Sequence, residues 1–167
     1  MNLSLSVRIA EAACKTKLNV PFRDLVQLAA ELGYKAICMR ASAGGIGTPR
    51  EELLRMRSDV ERAGLRVSMV TADSDVPLNN DHGPGSLKNI TPSLDVAETL
   101  GCDLIRVCLK TESDIEHARR AADLAAARNI RLAHQCHTTT LFEITTRSQT
   151  HVESNQGDTF LPTLIEI

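Results

Sequence analysis

The side chains best suited to chemistry are cations and amides that alternate with apolar residues. Arg8 follows Leu5 and Val7, and Arg40 follows Ile37 and Met39. Arg106 lies between Ile105 and Val107 with Lys110 just beyond, and Gln135 and His137 end the run RLAHQCH. A segment whose apolar members pack under helices sends the intervening residues to the opposite face. Guanidinium and ammonium groups gathered on such a face suit an anionic substrate group, a phosphate or a carboxylate. The competing role for the same residues is structural: interior cations balanced by carboxylates on other strands.

Two further patches carry donors. The stretch 73–89, DSDVPLNNDHGPGSLKN, holds Asp73, Asp75, Asp81 and His82 among prolines and glycines. It is much longer than an ordinary strand-to-helix loop, which fits a lid or substrate loop. It has no glutamate at the spacing a calcium loop requires. His134-Gln135-Cys136-His137 is dense in metal-ligand types, but alternation divides it between two faces and no second ligand pair accompanies it.

The elements that must position these residues come in a rhythm. Apolar strand-like runs fall at 32–40, 63–72, 100–110 and 128–137, after an opening strand near residue 3. The segments between them have helical period and punctuation. Leu25, Leu28, Ala29 and Leu32 mark one face, and Gly33 stands where a C-terminal cap belongs. Thr48-Pro49-Arg50-Glu51 reads as a capping box opening a helix, and Thr91-Pro92 opens another. A last helix places Ile115, Ala118, Ala122 and Ala125 inward as far as Asn129. Strand, helix, strand at this spacing means right-handed crossovers in a parallel sheet.

A dinucleotide-binding sheet would carry a glycine-rich turn after its first strand, and EAACKTKLN has no glycine. The expected class is therefore α/β, a partial (β/α)8 TIM barrel of about five parallel strands and four helices over residues 1–143, since a full barrel takes about 250 residues. Residues 144–167 show no sustained period and are expected to form an irregular or poorly ordered tail.

Composition narrows the partners. Aromatic residues make up 2% of the chain, tryptophan is absent and the net charge is -2. Neither a base-stacking platform nor a global attraction to nucleic acid follows, so no nucleic-acid partner is expected. No apolar run approaches the roughly 18 residues of a membrane span, and the opening MNLSLSVRIAEAAC has no signal-peptide pattern. Cys14, Cys38, Cys102, Cys108 and Cys136 are odd in number and widely spaced, which reads as reduced thiols in a cytoplasmic protein.

The runs RIAE, YKAICMRAS, GLRVSMVT, NNDHGP, KNITPSLDVAETLGCDLIRV and RLAHQCHTTTLFE resemble the xylose isomerase-like TIM barrel superfamily. That superfamily includes sugar phosphate isomerases/epimerases and the AP endonuclease family 2 proteins. The likeness spans residues 3–143, the N-terminal five-eighths of such a barrel. It implies a divalent metal (Mn, Mg or Zn) at the barrel mouth and proton transfer beside a sugar carbonyl. Gln135 stands where relatives tend to keep a glutamate ligand, which makes it a weak metal candidate. The later strands that supply the other ligands and the second acid/base group are not recognisable. The resemblance therefore implies an isomerase lineage in a C-terminally truncated chain without a complete active site, its tail a natural product or a frameshift. Arg8, Arg40, His82, Arg106, Lys110 and His137 are its candidate substrate-binding residues, for a sugar, polyol or phosphorylated ligand. The alternative is a non-catalytic half-barrel module that acts by self-association or partner binding, using the open edges of the first and fifth strands.

Overall fold

The computed structural model describes residues 3–72, 84–135, 141 and 164–166. Its centre is one sheet in the order β1-β2-β3-β4-β5-β6. The strands are β1 (Ser4–Ser6), β2 (Ala36–Met39), β3 (Arg66–Thr71), β4 (Leu104–Val107), β5 (Arg131–Gln135) and β6 (Leu164–Glu166). β1 to β5 run parallel, and β6 pairs antiparallel with β5. The helices are α1 (Phe22–Glu31), α2 (Arg50–Arg62), α3 (Gly85–Lys88), α4 (Thr91–Leu100) and α5 (Ser113–Ala126). Sequential parallel strands joined by helices make the open, partial barrel that the repeat predicts.

Packing follows the strand alternation. Ile37, Met39, Val67, Val70, Ile105, Val107 and Leu132 are buried on the helix side. They meet Leu25, Val26 and Ala29 of α1, Leu53 and Val60 of α2, Leu94 and Ala97 of α4, and Ala118, Ala121 and Ala125 of α5. A register shift between Ile37 and Cys38 places Ser68 as an extra residue in β3. Such a bulge keeps Val67 and Val70 both on the apolar side.

Several local expectations are corrected. The first strand ends at Ser6, and Val7–Ala10 is a 3-10 turn in which the Ser6 side chain accepts from the Arg8 N–H. Strand alternation therefore stops there: Arg8 is exposed, and Ile9 is 75% exposed. Thr48 does not cap α2. Its hydroxyl accepts from the Gly45 N–H at 3.0 Å, and Pro49 precedes the first helical residue without a side-chain cap. In α1 the buried face is Leu25, Val26 and Ala29, whereas Leu28 and Leu32 are 48% and 65% exposed. The inward face is thus rotated by about one position, because a barrel's outer helices bury only a stripe. In α5, Ala121 is buried and Ala122 only partly so. A short four-residue helix, α3, adds a fifth helix to the four expected.

The tail also differs. Leu164–Glu166 forms a strand, with Ala133 opposite Glu166 and Gln135 opposite Leu164. One side of β5 expected as an open edge is thus paired, while β1 remains terminal in the sheet. The backbone of the short apolar end finds its hydrogen bonds on a strand that would otherwise expose its own.

Glycine has a packing role at one turn. A Cβ on Gly44 would lie 3.0 Å from Leu53 Cδ2 and 3.2 Å from Met56 Sδ. The Gly44-Gly45 turn after β2 presses on α2, which explains the cluster without a phosphate cradle.

Candidate active site at the mouth of the partial barrel

The inner face of the sheet is polar where a barrel interior is ordinarily filled by Val, Ile and Leu. Ser4 and Ser68 hydroxyls meet at 2.7 Å across β1 and β3, and Ser68 also donates to the Ile37 carbonyl at 3.2 Å. Ser6 pairs in register with Cys38. Arg106 of β4 donates to Gln135 Oε1 of β5. These residues face away from the helix-side core; Ser6, Cys38, Arg106 and Gln135 lie toward the C-terminal ends of their strands, where barrel sites form, and the Ser4–Ser68 pair lies toward the opposite ends.

The strongest electrostatic feature was absent from the sequence candidates. Glu11, just past the 3-10 turn, accepts from Arg40 Nε at 2.8 Å and from Ser42 Oγ at 2.6 Å. The glutamate side chain is 5% exposed and the arginine side chain 10%. Arg40 is thereby a brace tying the loop after β1 to the loop after β2. The missed signal was a matter of balance: an inward arginine needs a carboxylate, and Glu11 is the first acidic residue after the first strand.

The remaining candidates divide. Arg106 is on the inner face, half-buried, and bonded to Gln135. Lys110 lies beyond β4, where its backbone N–H donates to Asp114 Oδ2 at 2.8 Å. The Thr111 N–H does the same at 2.9 Å, so Asp114 fixes the turn into α5. Arg8 is on the exposed turn and is not brought into this group. His82 and His137 lie outside the described residues, as does Cys136. His134 is fully buried on the helix side, away from Gln135, and its Nδ1 accepts from the Leu109 N–H at 3.2 Å.

Thiol chemistry is muted on this face. Burial pushes the Cys38 thiol up, opposed by the charge of Arg106, the Ser6 hydroxyl and the charge of Arg40. Cys14, Cys38, Cys102 and Cys108 are free thiols. Cys102, at the start of β4, is pushed up to about 11 from 9.0, chiefly by burial, while its thiol donates to the Leu104 carbonyl. A raised folded-state value favours the protonated thiol in the native protein. Its stabilising effect is complete below pH 9 and is lost as pH rises toward 11. The loss is about 1.4 kcal/mol per pH unit across that window. Melting temperature is expected to fall between pH 8.5 and pH 11, and less steeply in Cys102→Ala, where the titration is gone. Parallel profiles for the two proteins would remove Cys102 as the cause.

A divalent metal does not fit the donors among the described residues. Among the described residues no group of three or more His, Cys, Asp or Glu could hold an ion. Glu11 is committed to Arg40 and Ser42, and Gln135 Oε1 to the Arg106 guanidinium. A guanidinium at the one expected ligand repels a second cation.

No protein-family model matches the chain, and no curated protein matches it. Solved structures do. A xylose isomerase-like TIM barrel protein from Mycobacterium smegmatis, in complex with magnesium, superposes with a TM-score of 0.64 at 13% identity, covering 92% of this chain and 62% of that one. An AP endonuclease, family 2, from Brucella melitensis gives 0.55 at 18% identity, covering 79% and 54%. The D-psicose 3-epimerase with D-tagatose from Clostridium cellulolyticum H10 gives 0.51 at 14% identity, covering 79% and 51%. The chain has the fold of the xylose isomerase-like TIM barrels. It spans between half and two-thirds of the length of these chains. Among the described residues, no helix is long and apolar enough to cross a membrane.

Proposed function

We propose that this chain contributes the first five strands of a sugar isomerase/epimerase-type barrel. Its ligand is a small polyhydroxylated molecule, free or phosphorylated, held at the C-terminal ends of the strands. The observation that carries this reading is the polar inner face toward those ends: Ser6 in register with Cys38, and Arg106 bonded to Gln135. Hydroxyl, amide and guanidinium groups are the donors and acceptors that a polyol matches. The D-tagatose bound by the psicose epimerase of the same fold supports the substrate class.

Arg106 and Lys110 are the binding cations in this reading, and His82 and His137 remain candidates from sequence. Arg40 is a positioning residue, held by Glu11. The lineage's chemistry is proton transfer beside a sugar carbonyl, which needs an acid/base group poised near the reacting carbon. Glu11 is the inner carboxylate among the described residues, and Arg40 and Ser42 both occupy its Oε1. We therefore expect ligand binding by this chain without turnover.

Calorimetric titration of the full chain with D-fructose, D-tagatose and their phosphates tests this. Binding is expected for at least one, weakened about tenfold, or about 1.4 kcal/mol, in Arg106→Gln. Discontinuous sugar assays with added Mn²⁺ are expected to show no interconversion. Absence of binding to every ketose and ketose phosphate would sink the reading.

A further inference from the structure

We propose that the groove between α3 and α5, on the helix side of the sheet, is a second binding site. It takes a small organic anion with an apolar body and one phosphoryl or carboxylate group. The groove is separate from the inner face, and it stands whether or not that face binds a sugar.

The sequence sets both walls. In α5, His117, Arg120, Ala121 and Leu124 stand at i, i+3, i+4 and i+7, which is one face of the helix. Opposite them α3 ends on Lys88, and Asn89 and Ile90 follow it. Together they enclose about 370 Å³, a volume that suits a small ligand. The floor is apolar: Leu87, Ile90 and Ala121 are buried, while Leu124 at the lip is 53% exposed. An apolar body seated there would take that leucine out of water.

The rim is built of donors. Lys88 and Arg120 bring two positive charges, and none of the lining residues is a carboxylate. Arg120 Nη2 and His117 Nδ1 meet at 2.8 Å. A guanidinium has no lone pair to offer, so it donates and Nδ1 accepts. The neutral ring then carries its hydrogen on Nε2, a further donor. Glu116 lies 3.7 Å from Arg120, but the two side chains are 80% and 62% exposed, and such a pair is weak. Cationic donors above an apolar floor match an oxyanion head on an apolar body. An inorganic anion would meet the rim and leave the floor wet.

Calorimetric titration of the full chain with phenyl phosphate, inorganic phosphate and benzyl alcohol tests the proposal. Saturable binding of phenyl phosphate is expected, weakened about tenfold in Lys88→Ala and in Arg120→Gln and unchanged in Arg106→Gln. Lys88 and Arg120 are exposed, so both variants are expected to melt as the wild type does. Inorganic phosphate is expected to bind at least about tenfold more weakly, and benzyl alcohol not to saturate. No saturable binding of phenyl phosphate would overturn the proposal, as would an affinity that neither Lys88→Ala nor Arg120→Gln moves. So would a loss confined to Arg106→Gln, which would place the anion on the inner face. Inorganic phosphate binding as tightly as phenyl phosphate would remove the role of the floor, and benzyl alcohol doing so would remove that of the rim; either result sinks the site. Phenyl phosphate bound at this groove while every ketose and ketose phosphate fails would leave it standing and sink the sugar reading.

Discussion

Glu11→Ala is expected to destabilise the fold by about 3–5 kcal/mol, the cost of leaving a buried charge without its partner. Arg40 is 10% exposed at its side chain and its Nε donates to Glu11 at 2.8 Å. Removing the carboxylate strands a guanidinium that can neither reach bulk water nor give up its proton. Ser42 loses its acceptor in the same step. Against a total stability of about 5–15 kcal/mol, this is a large fraction. The double variant Glu11→Leu with Arg40→Met is expected to recover much of the loss, because two apolar groups replace a pair that had to be desolvated. Urea unfolding of the wild type, Glu11→Leu, Arg40→Met and the double variant gives the coupling energy. A loss below about 1 kcal/mol for Glu11→Ala would show the pair to be no stronger than an exposed ion pair. The functional consequence is separate: without the brace, the loops after β1 and β2 lose their fixed spacing at the mouth.

Ile105→Ala carries the second large effect, about 2–5 kcal/mol from lost burial and an incompletely collapsed cavity. Ile105 has no exposure and lies on β4, flanked in register by Val70 and Leu132. All three point under the helices, so the void has strand neighbours on both sides and little room to relax. Ile105→Val is expected to cost about 0.5–1.5 kcal/mol, which separates volume from position. The contrast is read from denaturation midpoints at constant slope. Equal effects from the two variants would place Ile105 outside the packed core. This site lies on the opposite face from Arg106, so ligand affinity should hardly move in Ile105→Val.

The architecture was legible because its signals are local and repeated. Apolar runs at regular spacing and glycines such as Gly33, Gly64 and Gly101, all at positive φ, mark where helices end and strands begin. Two-residue alternation within a strand sorts Ile105 from Arg106 and Leu132 from Gln135 without any tertiary knowledge. It likewise sent His134 away from Gln135, and the buried ring on the helix side agrees. That alternation holds only while the chain stays extended. After Ser6 it does not, since the serine side chain accepts from the Arg8 N–H and the backbone turns. Alternation accordingly places Arg8 on a face that it does not occupy. Thr48 shows the same competition, with its hydroxyl spent on Gly45 in place of the helix.

The fold class, the inward set on the extended strands and the boundaries of the longer helices follow from residue order alone, because period and capping act over a few neighbours. Partnerships between distant residues do not. Glu11 meets Arg40 across 29 positions, Arg106 meets Gln135 across the same separation, and Thr71 comes beside Arg106 only through sheet register. The antiparallel β6 is of this kind too, since its pairing depends on β5 having a side to offer. Which inward arginine meets which partner was undecidable from spacing. Only the tertiary structure brings Glu11 to Arg40 and Gln135 to Arg106.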